Sequence, residues 1–71
     1  MRHPVYRWAH GKGVPIKSVV SRLGVSRTAL LYWDDRKTCP SPRHMKSIEA
    51  LTLGDVSVND CINYFLGESN D

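Results

Sequence analysis

Apolar residues in the first half of the chain form two groups with helical spacing. Val19, Val20 and Leu23 fall at i, i+1 and i+4, and Leu30 and Trp33 fall three apart. Each group shares one face of a helix. Gly24 stands between them, able to end a helix at positive φ, and Ser26 can cap the next one. Two short helices joined by a three-residue turn predict a helix-turn-helix, with Pro15 opening the first and the second running from Ser26 to about Asp35.

The flanks extend the same pattern. Pro4 starts a short first helix with Val5, Trp8 and Ala9 on its apolar face and Gly11 and Gly13 after it. Met1 to Pro4 reads as a loose arm, with Arg2 and His3 frayed. Ser41 and Pro42 cap and open a fourth helix, whose inner positions are Met45, Ile48, Ala50 and Leu51, and Thr52-Leu53-Gly54-Asp55 ends it. Ser57 caps a fifth helix, with Asp60 in a capping-box position and Val58, Cys61, Ile62, Phe65 and Leu66 along a wide apolar face. Gly67 stops it, leaving a polar tail. No stretch alternates as a strand would. The expectation is one all-α domain over residues 1–71, a compact bundle of about five short helices around the central helix-turn-helix.

Charge adds a direction to this bundle. The 71 residues carry a net charge of only +3, yet all ten Lys and Arg lie within the first 46. Asp34 and Asp35 are the acids there, so that segment stands at +8 and the remainder at −5. A basic side joined to an acidic one points to a polyanionic partner. Arg27, Thr28, Leu31 and Tyr32 fall on the outer face of the helix that Ser26 opens. Donors mixed with apolar groups suit the edges of bases in a major groove. Lys17 sits near a helix N-terminus, where backbone N–H groups favour an anion. Arg36, Lys37 and Thr38 follow the recognition helix in a basic loop and can donate to phosphate oxygens.

Other chemistries find little support. Asp34 and Asp35 are adjacent, point to different helix faces and have no base or nucleophile beside them, so no enzyme is expected. They oppose the helix dipole and call for a cation: Arg7, Arg36 or Arg43. Cys39 and Cys61 are too few for a disulfide framework and lack zinc spacing, so no metal or cofactor is expected and a reducing cytoplasm is. The N-terminus has no apolar signal core and no run could span a membrane. Ile62, Tyr64, Phe65 and Leu66 give the last helix surface for a symmetric dimer contact, with plain core packing the equal alternative.

The order G-V-P-I-K-S-V-V-S-R-L-G-V-S-R-T-A-L-L-Y-W-D-D, then R-K-T-C-P-S-P, I-E-A-L and V-S-V-N-D, resembles the Cro/CI-type (XRE-like) helix-turn-helix family of phage and bacterial repressors. The likeness covers roughly residues 5 to 66. It implies a lambda-repressor-like DNA-binding domain, a homodimer on a near-palindromic operator, and repression by occluding a promoter. It also implies base contacts from Arg27, Thr28, Leu31 and Tyr32, and phosphate contacts from Lys17, Ser26, Arg36, Lys37 and Thr38. The chain departs from the family in four places. Ile16 stands where a DNA-touching Gln is common, Val20 where a small Ala is usual, Arg36 where Gly is common, and residues 52–55 form an insertion. The alternative function is a protein-interaction module, an antitoxin or adaptor, favoured by the apolar last helix and the acidic C-terminal third.

Overall fold

Five short amphipathic helices make up the fold of the described residues, four of them started by a side-chain cap and the second by Pro15. The computed structural model describes residues 2–67; Met1 and the polar tail 68–71 lie outside them. The helices are α1 (Pro4–Lys12), α2 (Ile16–Leu23), α3 (Arg27–Asp34), α4 (Pro42–Leu51) and α5 (Val58–Leu66), and no strand occurs among the described residues. The expected all-α bundle is therefore what the chain forms. No helix among them is long and apolar enough to cross a membrane.

Caps explain the starts. The Ser26, Ser41 and Ser57 hydroxyls accept from the N–H groups of Ala29, His44 and Asp60, each three residues on. Ser57 and Asp60 complete a reciprocal capping box, the Ser57 N–H donating to Asp60 Oδ2 at 2.9 Å. Gly24, at φ 70°, ends α2 and lets the chain reverse into α3 within three residues.

The core is built from Val5, Ala9, Val19, Val20, Leu23, Leu30, Trp33, Met45, Ile48, Val56 and Cys61. The second helix lies at the centre, packing on α1, α3 and α4, while α5 packs on α1 and α4. Trp8 packs half-buried against this core. Ala50 faces solvent instead of lining α4's inner side. The inner row runs Met45, Ile48 and then Thr52, a spacing of three and four that leaves Ala50 on the outer face.

Thr52 closes the α4–α5 connection. It is 1% exposed, its hydroxyl donates to the Ile48 carbonyl at 2.9 Å, and the Val56 N–H donates back to that hydroxyl at 3.0 Å. The next residue, Leu53, takes a left-handed φ of 54° and stands 92% exposed.

Arg2 and His3 are not frayed. His3 is 1% exposed and caps α1, its Nδ1 accepting from the Val5 N–H at 3.1 Å. Its backbone N–H donates to Asp34 Oδ1 at 2.8 Å, and its ring meets Tyr64 edge-on at 5.0 Å and Trp33 at 6.3 Å. Arg2 adds an ion pair to Asp34 at 3.5 Å. So the cation opposite Asp34 is Arg2, with the His3 N–H beside it, rather than Arg7, Arg36 or Arg43. Burial drives the His3 pKa down to about 4, Asp34 opposing and Arg7 reinforcing the shift.

Candidate nucleic-acid interface

The third helix has two unlike sides because its apolar pair falls three residues apart. Leu30 and Trp33 are buried, at 0% and 5% exposure, and lock its inner side to the core. Arg27, Thr28, Leu31 and Tyr32 all reach solvent, Leu31 and Tyr32 at 48% and 44%. Positions i, i+1, i+4 and i+5 on one helix form a continuous outer row, so these four side chains are presented together. Ser26, at the start of the row, uses its oxygen to accept from the Ala29 N–H at 3.1 Å, and its O–H proton remains able to donate outward.

The loop after α3 folds back over the end of this row. The Lys37 and Thr38 N–H groups donate to the Tyr32 carbonyl at 2.9 and 3.5 Å, and Lys37 Nζ lies 5.5 Å from the Tyr32 ring centre. That holds a cation at the C-terminal end of the outer row, with the Thr38 side chain exposed beside it. Arg36, expected to hold a phosphate, is exposed but also engages the last helix. It takes a left-handed φ of 60°, the conformation glycine adopts freely, so the chain turns here without one. Its Nε donates to the Tyr64 carbonyl at 2.7 Å and its guanidinium lies 4.0 Å over the Tyr64 ring. The side chain is thereby drawn towards α5.

Tyr64 differs too. It is 4% exposed, and its hydroxyl donates to the Asp34 carbonyl at 2.6 Å, so it belongs to the core and not to an outer dimer face. Burial, chiefly, raises its pKa. Ile62, Phe65 and Leu66 remain outside, at 36%, 36% and 60% exposure.

Lys17 is exposed on the first turn of α2 and lines, with Ser18, Ser21 and Arg22, a shallow depression of about 260 Å³. A larger groove of about 730 Å³ opens between α1 and α3. Arg2, Arg7 and His10 stand along one wall, Arg27 and Leu31 on the other, with Val14 and Ile16 between. From the sequence, Arg7 is only a candidate cation for Asp34 and Asp35, and His10 has no assigned role. Their spacing of three on one helix face, ending in a basic last turn, is the signal that pairs them.

The remaining reactive groups are quiet. Cys39 and Cys61 are free thiols; burial pushes Cys61 up to about 12, reinforced by Cys39, Asp60 and Glu49, and raises Cys39. Among the described residues no three His, Cys, Asp or Glu side chains converge on a point. Comparison with protein-family models, curated proteins and solved structures finds no match to this chain.

Proposed function

We propose that the protein is a sequence-specific double-stranded-DNA-binding transcription regulator, a small Cro-like repressor acting in a bacterial cytoplasm. The observation that carries this reading is the outer row Arg27, Thr28, Leu31 and Tyr32, exposed along a helix whose inner side is locked to the core. Inserted into the major groove, Arg27 pairs with guanine O6 and N7, Thr28 donates to or accepts from a base edge, and Leu31 meets a thymine methyl. Tyr32 closes the row beside the phosphates. Lys17, Ser26, Lys37 and Thr38 hold the flanking phosphates and set the register. A homodimer would place two such helices in half-sites one turn apart, roughly 34 Å, and its occupancy would block polymerase. No catalytic step belongs to this reading.

The test is enrichment of binding duplexes from a random pool, followed by anisotropy titration with variants. Arg27→Ala is expected to cost about 1–3 kcal/mol and relax one base position, while Lys37→Ala weakens all sequences alike. Equal, uniform losses from both changes would remove the assignment of base and phosphate roles.

One observation favours a different class. Ile62, Phe65 and Leu66 leave an apolar strip uncovered on α5, as a module holding a protein partner would. Such a module would bind with little salt dependence and ignore duplex DNA, whereas a DNA-binding protein responds steeply to salt.

A further inference from the structure

The groove between α1 and α3 has three features that bear on what it holds. Its walls carry Arg2, Arg7, His10 and Arg27, and no carboxylate among the described residues lines it. Arg2 is already engaged, lying 3.9 Å over the Tyr6 ring and 3.5 Å from Asp34. The Arg7, His10 and Arg27 side chains form no hydrogen bond or ion pair with any described residue. The groove therefore presents donors unpaired among the described residues around a space of about 730 Å³, above the apolar surface of Val14, Ile16 and Leu31.

We propose that this groove seats the sugar–phosphate backbone of the DNA strand bordering the bases that α3 reads, with Arg7 and His10 as additional phosphate donors. The inference rests on the DNA-binding reading and adds α1 to its footprint. Continuity argues for DNA as the occupant. Arg27 and Leu31 belong both to the outer row of α3 and to the groove wall, so a strand lying beside that row passes the groove mouth. The apolar floor suits the carbon faces of deoxyribose, and the cationic rim suits the phosphates on either side of it. The loop after α3 makes the shift intelligible. Arg36 is held on the Tyr64 carbonyl and ring, so the phosphate donor expected there is drawn away and α1 supplies others.

Phosphate contacts are read by salt dependence, since each one adds about 0.9 to the slope of log affinity against log salt. The probe is a fluorescein-labelled duplex of about 20 base pairs, two helical turns, taken from the wild-type enrichment. Wild type, Arg7→Gln, Arg7→Lys and Arg36→Gln are titrated at several salt concentrations, with far-UV circular dichroism confirming equal helix content. The expected result is a slope smaller by about 1 for Arg7→Gln, restored by Arg7→Lys and unchanged by Arg36→Gln. A scan of single methylphosphonate substitutions should then show one phosphate whose neutralisation weakens the wild type and not Arg7→Gln. A steep wild-type slope that Arg7→Gln leaves unchanged overturns the groove assignment and leaves the DNA-binding reading standing. Wild-type binding that is absent or insensitive to salt overturns the DNA-binding reading, and this one with it.

Discussion

Between Trp33 and Tyr64 the His3 ring has room for a neutral imidazole and no solvent to charge it. Its Nδ1 accepts from the Val5 N–H, which places the proton on Nε2, and that nitrogen is enclosed without a partner among the described residues. A charged ring would be worse off, which is why its pKa lies near 4 against an ordinary 6.5. The unfolded chain takes up the proton first as pH falls, so the contribution of His3 to stability is complete above pH 6.5. It is lost as pH drops towards 4. A difference of that size corresponds to at most about 3 kcal/mol. Urea unfolding at intervals from pH 7.5 to 4 should show this loss in the wild type. His3→Asn, which keeps an acceptor for the Val5 N–H but cannot titrate, should flatten that part of the profile. An identical profile in both proteins would show that His3 is charged before the fold is lost.

At the scale of elements, the helix starts were legible because their causes are local. Ser26, Ser41 and Ser57 each satisfy an N–H three residues away, and the glycine stops lie next to the helices they end. What escaped was set by contacts far apart in sequence. His3 and Asp34 are 31 residues apart and Arg36 and Tyr64 are 28, and no local pattern joins them. The outer row of α3 was readable from spacing alone, whereas the groove on α1 needs the packing of two helices to exist. Ala50 illustrates the opposite failing, since the three-and-four spacing through Met45 and Ile48 already points to Thr52. That threonine sustains the α4–α5 connection. Thr52→Val keeps its volume but leaves the Val56 N–H without its acceptor, at an expected cost of about 1–3 kcal/mol in chemical denaturation. A loss below about 0.5 kcal/mol would mean that the turn holds without the hydroxyl.

The whole molecule separates its charges as well as its helices. The DNA-facing candidates lie on α1, α2, α3 and the loop behind it, while Glu49, Asp55 and Asp60 lie along α4, its turn and α5. Under the proposed function, a duplex approaching the basic side would be steered by this asymmetry, more strongly at low salt. The apolar strip of Ile62, Phe65 and Leu66 is on the acidic half, so a second copy meeting it would leave the basic side free. Leu66→Glu is expected to change stability by no more than about 0.5 kcal/mol, because the side chain is 60% exposed. If the strip is the dimer contact of the proposed regulator, the same change should abolish cooperative occupancy of paired half-sites while sparing a single half-site, as measured by titration of the two duplexes side by side. Unaltered cooperativity would place the dimer contact elsewhere.

The meeting of His3 with Tyr64 has a consequence for how the protein is made. Synthesis delivers α1, α2 and α3 to the ribosome exit well before α5, yet the ring that covers His3 and the hydroxyl that holds the Asp34 carbonyl both come from α5. Until α5 emerges, Leu30 and Trp33 have only part of their core, and the nascent helix-turn-helix lacks its anchor. The third helix therefore gains its rigid form only once α5 is present, so a product truncated before α5 should carry the basic side without a fixed surface to present it.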